Sequence, residues 1–156
     1  MYKGTWRRKT VAIKVLAKTT PRKLFTNEIA IWKDLSHANV LALYGASSAA
    51  GEPPWFFVSP YCANGSLVAW LTARRRAGQE GEVDLLRCMH QVAKGMEYLH
   101  RRGVLHGDLK GANVLVDDKR RCLVSDFGQS EMRSEAYRLS GTPPPRKLFY
   151  WCVYFS

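Results

Sequence analysis

An α+β fold is predicted for this 156-residue chain, because strand-like and helix-like periodicities stand side by side in it. Residues 10–16, Thr-Val-Ala-Ile-Lys-Val-Leu, form a β-branched run. Residues 85–99 space apolar side chains by four and three, and two short apolar runs at 114–116 and 122–124 flank a charged turn.

Along the chain, the run 10–16 predicts a buried strand with one cation, Lys14, inside it. Residues 22–35 predict a helix on the stripe Leu24, Phe25, Ile29 and Trp32, with Glu28 on a different spacing. Residues 55–59 predict a strand that runs into Pro60 and the turn Ala63-Asn64-Gly65-Ser66. A helix over 67–76 is broken by the glycines at 78 and 81. The strongest helix follows, on Leu85, Met89, Val92, Met96 and Leu99, with Asp84 placed to cap its start and Gly103 after its end. The runs Val114-Leu115-Val116 and Cys122-Leu123-Val124, joined through Asp117-Asp118-Lys119-Arg120, predict a hairpin. Three prolines at 143–145 form a polyproline element, and the almost wholly apolar residues 148–155 are too short to span a bilayer and lack an amphipathic period.

With 46% hydrophobic and 24% charged residues, the composition is that of one ordinary domain. No apolar run approaches the roughly 20 residues of a membrane span, and the first residues lack the apolar stretch of a secretory signal. The expectation is therefore neither secretion nor a transmembrane segment. The net charge is +11, but the basic residues fall in short scattered groups, which predicts a solvated surface and no dedicated nucleic-acid site. Cys62, Cys88, Cys122 and Cys152 form no C-x-x-C pair, so neither a zinc knuckle nor a redox motif is expected, and a reducing, cytoplasmic setting fits.

Chemistry concentrates in His106-Gly107-Asp108-Leu109-Lys110-Gly111-Ala112-Asn113, followed by Asp126-Phe127-Gly128. A carboxylate, an ammonium and a carboxamide within six residues, then a second carboxylate after a strand, suit a nucleoside triphosphate with its magnesium. Asn113 and Asp126 would supply metal oxygens, Asp108 would face the nucleophilic hydroxyl, and Lys110 would offset charge on the transferred phosphoryl group. Each has a plainer reading beside it: Asp and Asn cap turns, Lys14 suits a strand edge and Glu28 a solvated helix face.

These residues resemble the protein kinase family. Residues 106–115 are similar to its catalytic loop H-R-D-L-K-x-x-N, residues 126–128 to its D-F-G, and Val11-Ala12-Ile13-Lys14 to its V-A-I-K strand. The resemblance implies a two-lobed fold: a small antiparallel sheet with one helix, then an incomplete, mainly helical second lobe. It divides the chain into a partial first lobe at 1–58, a hinge at 59–64, a partial second lobe at 65–142 and a tail outside the family at 143–156. It implies ATP and Mg2+ as cofactors and a protein as substrate, with Lys14 on the phosphates, paired with Glu28. It also implies a base pocket made by Ser59 at the rear, the Pro60 carbonyl and the Cys62 N–H at the edge, and Ala12 and Leu115 as roof and floor. Trp32, Leu43, Phe127 and His106 would stack as a spine between the lobes. Lys110 and Thr142 resemble the serine/threonine-directed members, and Asn64-Gly65-Ser66-Leu67 the tyrosine-kinase-like branch.

Three departures qualify the resemblance. Tyr2-Lys3-Gly4 resembles the segment just after the glycine-rich loop, so this chain is expected to be weakly active or inactive. After Gly141-Thr142 the A-P-E segment is replaced by prolines and an aromatic tail, read as a product of truncation, splicing or an intron, with some association through the exposed tail. Gly107 stands where many kinases carry an arginine that pairs with a phosphorylated residue, so Ser130, Ser134, Tyr137 and Ser140 are not expected to act through that pair. Two other readings stay open: a small-molecule phosphotransferase, since His106-Gly107-Asp108 also resembles the loop of aminoglycoside and choline kinases, and a non-catalytic interaction fragment.

Overall fold

The computed structural model describes residues 1–48, 51–79, 81 and 83–132. Ser134, Tyr137, Ser140, Thr142, the prolines and the aromatic tail lie outside the described residues.

The first lobe is a four-stranded antiparallel sheet in the order β1-β2-β4-β3, built from β1 (Tyr2–Trp6), β2 (Lys9–Val15), β3 (Gly45–Ala46) and β4 (Phe56–Pro60). Strand β2 is the predicted β-branched run, and it pairs Lys14 with Phe57 of β4. Strand β1 was not expected, and its turn explains why. A type I′ hairpin turn needs positive φ at both central residues and usually advertises it with Asn-Gly, whereas here Arg7 and Arg8 take φ 49° and 62°. The Arg7 guanidinium lies 4.6 Å over the Trp6 ring.

Helix α1 (Arg22–Trp32) ends three residues earlier than the predicted 22–35. Its last turn tightens, with the Leu35 N–H donating to the carbonyl three residues back on Trp32, and this lets Leu35 turn into the core. The buried face also differs from the predicted stripe. Leu24 is 54% exposed, while Glu28 is only 7% exposed beside buried Phe25, Ile31 and Trp32. A charge at helical register with the core is the first sign that α1 carries chemistry.

In the second lobe, α2 (Leu67–Arg76) is capped by Ser66, whose Oγ accepts from the Ala69 N–H. Helix α3 (Leu85–Arg101) is capped by Asp84, which accepts from the Arg87 N–H at 2.8 Å, and Gly103 follows its end at φ 75°. Its predicted stripe is buried at one end only. Leu99 is fully buried and Val92 and Met96 are half-buried, but Leu85 and Met89 are exposed with Leu86, and the buried positions nearest the start are Cys88 and Gly95. No helix among the described residues is long and apolar enough to cross a membrane.

The predicted hairpin forms between β6 (Val114–Val116) and β7 (Cys122–Val124), Val114 opposite Val124 and Val116 opposite Cys122. A second small pair, β5 (Val104–Leu105) with β8 (Glu131–Met132), ties the segment after Asp126-Phe127-Gly128 to the strand before the catalytic-type loop. Two apolar clusters result. One, around Leu67, Trp70, Cys88, Val116 and Cys122, lies within the second lobe. The other joins the lobes through a chain of rings: Trp55 stacks on Phe25 at 5.2 Å, Phe25 meets Phe57 at 5.1 Å, and Trp32 links Phe57 to Phe127 at 5.6 Å each. His106 lies 5.6 Å beyond Phe127, and Leu43 packs on the same cluster.

Candidate active site

Three elements far apart in sequence converge at Lys14. Its side chain leaves β2 toward α1, where Nζ stands 3.5 Å from Glu28 Oε1, and toward the end of β7, where it donates to Asp126 Oδ1 at 2.9 Å. Burial alone would pull the lysine pKa down, but the Glu28 and Asp126 carboxylates outweigh it and hold it above the ordinary value. Burial pushes the Glu28 carboxyl above its usual range, and Lys14 only partly offsets this. The Glu28 Oε1 atom has no hydrogen bond beyond the ion pair, so its charge is satisfied by Lys14 and little else.

The loop after β5 builds the other half. His106 is buried, and its Nε2 lies 2.9 Å from the Ser125 carbonyl, which can only accept. The proton therefore sits on Nε2, and Nδ1 accepts from the Asp108 N–H at 3.3 Å. Burial lowers the His106 pKa, against the opposing pull of the Ser125 carbonyl and the Asp126 and Asp108 carboxylates, so the neutral ring suits both bonds. Gly107 takes φ 79°, and a Cβ there would stand 2.4 Å from the Gln129 carbonyl oxygen. Only glycine permits that backbone and that approach without a shift. Ser130 completes the dock, its hydroxyl donating to the His106 carbonyl at 3.1 Å.

Asp108 is held by two partners. Lys110 Nζ donates to its Oδ2 at 2.7 Å, and Asn113 Nδ2 donates both to that oxygen at 3.0 Å and to the Asp108 carbonyl at 2.9 Å. The Lys110 hydrogen bond holds the Asp108 carboxyl below its ordinary value against the opposing effect of burial, with the Lys110 charge and the Asn113 hydrogen bond adding to it. With both amide hydrogens spent on Asp108, the Asn113 Oδ1 oxygen is left over. Asp126 likewise keeps one oxygen beyond the one that Lys14 occupies. Two hard oxygens of this kind suit Mg2+, which takes its other ligands from phosphate and water. Among the described residues no group of three or more His, Cys, Asp or Glu side chains could cage a metal unaided. The donor set therefore fits a metal carried in with phosphates better than a resident one.

Ser125 was missed by sequence reasoning. Its N–H and hydroxyl both reach the Asn113 carbonyl, at 2.9 and 2.8 Å, while its own carbonyl takes His106, so it knots the two halves together just before Asp126. The available signal was a polar residue ending the apolar run 122–124. Asp126 itself takes φ 67°, a left-handed backbone that aspartate tolerates and that aims its side chain back at Lys14.

The residues expected around a base lie on β2, on β4 and the linker after it, and on β6. Ala12 lies opposite Ser59 in the β2–β4 register, and Ser59 is buried. The chain leaves β4 through Pro60 and Tyr61 to Cys62, whose carbonyl accepts from the Gly65 N–H, while its own N–H makes no hydrogen bond among the described residues. Leu115, half-buried on β6, is bridged to Ser66 just beyond that linker. Burial, with the Asp117 and Asp118 carboxylates, pushes the Cys62 thiol up to about 11, which makes it an inert packing group.

The family model for protein tyrosine and serine/threonine kinases matches residues 1–148. The chain belongs to this family. It is 37% identical over 143 residues to the tyrosine-protein kinase Abl of Drosophila melanogaster, a match covering 88% of this chain and 8% of that protein. It is 31% identical over 150 residues to the serine/threonine/tyrosine-protein kinase HT1 of Arabidopsis thaliana, covering 90% of this chain and 37% of the relative. To the serine/threonine-protein kinase CTR1 of the same plant it is 34% identical over 154 residues, or 92% of this chain and 18% of the relative. The chain thus spans well under half the length of these curated relatives. Kinases named for tyrosine and kinases named for serine and threonine stand at similar identity, so the comparisons establish the family without dividing the two classes.

Proposed function

We propose that this chain is the nucleotide-binding part of a protein kinase that transfers a phosphoryl group from ATP to protein hydroxyls, with serine and threonine preferred. One observation carries the reading: Lys14, Glu28 and Asp126 meet within 3.5 Å although 112 residues separate the lysine from the aspartate it touches. No packing need explains an ammonium between two carboxylates at the edge of an apolar core. A triphosphate with its cation does. In this reading ATP supplies the phosphoryl group and Mg2+ neutralises its charge.

The chain's residues do the rest. Lys14, oriented by Glu28, binds the phosphates. Asn113 Oδ1 and Asp126 hold the metal. Ser59, the Pro60 carbonyl and the Cys62 N–H meet the base between Ala12 and Leu115. Asp108, kept ionised by Lys110 and Asn113, orients the substrate hydroxyl and accepts its proton. Lys110 stands 2.7 Å from Asp108, placed to meet negative charge growing beside that carboxylate, and it is the residue on which the serine/threonine preference rests.

The test is the melting temperature with and without Mg-ATP. The wild-type chain is expected to be stabilised, Asp126→Asn to lose the magnesium-dependent part, and Lys14→Met to lose most of the shift. A wild-type chain indifferent to Mg-ATP overturns the reading, and labelling of tyrosine peptides in preference to serine or threonine peptides overturns the specificity.

A further inference from the structure

We propose that Asn64 is a positioning residue of the base pocket, clamping the linker after β4 to the β6–β7 hairpin so that Cys62 and Leu115 face one ligand as a unit. This rests on the nucleotide-site reading above. The plainer account of Asn64 is turn formation, because asparagine before a glycine is a common turn pair and Gly65 takes φ 71°. Its side chain, however, does not serve its own turn. The amide Nδ2 donates to the main-chain carbonyl of Asp117, 2.5 Å away and 53 residues on.

The far end of that bond is rigid. The Asp117 carboxylate is buried and accepts from the N–H groups of Lys119 and Arg121 at 2.9 and 2.8 Å. It also takes the Arg121 guanidinium through Nε at 2.8 Å and Nη2 at 2.7 Å. Both guanidinium nitrogens reach Oδ2 while the two N–H groups take Oδ1, so both oxygens of the carboxylate are held. The near end is a two-stranded seam: the Asn64 N–H donates to the Val116 carbonyl at 3.2 Å, and the Val116 N–H donates to the Gly65 carbonyl at 2.8 Å. Leu115 directly precedes Val116 in the strand and is bridged to Ser66. Its neighbours Val114 and Val116 point into the core, so strand alternation turns Leu115 the other way, on the side where Ser66 bridges it.

The edge and the floor of the pocket therefore belong to different segments, and without the Asn64 amide only main-chain bonds of a short seam hold them in register. Loss of the amide donor would let the linker slide relative to Leu115. That loosens the grip on a base but leaves the phosphate end, at Lys14 and Asp126, untouched.

The experiment compares dissociation constants for Mg-ATP and for Mg-tripolyphosphate, which has no base, in the wild-type chain and in Asn64→Asp and Asn64→Ala. Asn64→Asp keeps the turn preference and the shape but places an oxygen against the Asp117 carbonyl. Both variants are expected to weaken ATP about fivefold to tenfold, the worth of one net hydrogen bond, with tripolyphosphate binding unchanged. Unchanged tripolyphosphate binding also shows that a variant is folded. ATP bound as tightly as by the wild type, or both ligands weakened alike, overturns the positioning role alone. A wild-type chain that binds neither ligand overturns the nucleotide-site reading, and this inference with it.

Discussion

His106 shows how much one side chain can hold together. It is buried under Phe127, donates through Nε2 to the residue before Asp126 and accepts through Nδ1 from the Asp108 backbone. Protonation adds a hydrogen where Nδ1 must accept, and burial already disfavours the cation. The sign of the linkage follows from the lowered pKa. Between the folded and the ordinary unfolded value the unfolded chain binds the proton more tightly, so stability is full above the ordinary histidine range and drains away as pH falls through it. The expected outcome is a wild-type chain that loses more stability between about pH 7 and about pH 5 than His106→Phe, which keeps a ring on Phe127 but cannot titrate. Equal acid sensitivity of the two proteins in denaturant melts would remove His106 as the cause. At this scale the sequence was legible wherever a charge sat in an apolar setting, as Lys14 does. It was less legible at Glu28, whose burial depends on which way α1 faces, and silent at Ser125, whose hydroxyl and main-chain groups act only through partners far along the chain.

At the scale of elements, the fit between α3 and the connection after α1 turns on Gly95. A Cβ there would lie 2.5 Å from the Asn39 carbonyl oxygen and 3.0 Å from Val124 Cγ2. The Asn39 carbonyl is itself engaged, accepting from the Val124 N–H at 3.0 Å, while the Asn39 amide donates to the Cys122 carbonyl. Alanine would gain about 1 kcal/mol of helix propensity over glycine in mid-helix. Against that stands an overpacking cost of about 1–3 kcal/mol, plus strain on a bond the Asn39 carbonyl cannot give up cheaply. The contact is with backbone, which cannot rotate away, so the loss wins: Gly95→Ala is expected to destabilise by about 1–2 kcal/mol in urea unfolding. A more stable alanine variant would mean that the two elements are not in contact as described. The same close approach explains a partial reading of α3. Periodicity located the helix and Asp84 its start, but a packing face made of Cys88, Gly95 and Leu99 is not what a search for large apolar residues finds. Strands β1, β3, β5 and β8 escaped for a related reason: one is hidden by an Arg-Arg turn, and the others are two residues long and exist only through their partners.

For the whole molecule, the question is what makes two lobes one cooperative body. The ring chain from Trp55 through Phe25, Phe57, Trp32 and Phe127 to His106 is continuous, and Phe127 is the link that crosses between the lobes. Truncating a buried phenylalanine costs about 3–5 kcal/mol, a large share of the roughly 5–15 kcal/mol that stabilises a domain, and here the loss falls at the junction. The Lys14–Asp126 bond spans the same junction, but both partners are partly exposed, so it contributes far less to holding the lobes together. Phe127→Ala is therefore expected to uncouple the lobes as well as weaken them. Tryptophan fluorescence is weighted toward the sheet lobe by Trp6, Trp32 and Trp55, whereas far-UV circular dichroism is weighted toward the second lobe by α2 and α3. In the wild-type chain the two signals should trace one urea transition; in Phe127→Ala the fluorescence transition should separate from the dichroism transition. Phe127→Leu, which keeps most of the volume, should restore their coincidence at a somewhat lower midpoint. If both signals in Phe127→Ala still fall on a single curve, cohesion between the lobes comes from elsewhere, and the contacts of Leu41 and Asn39 with β7 become the next place to look.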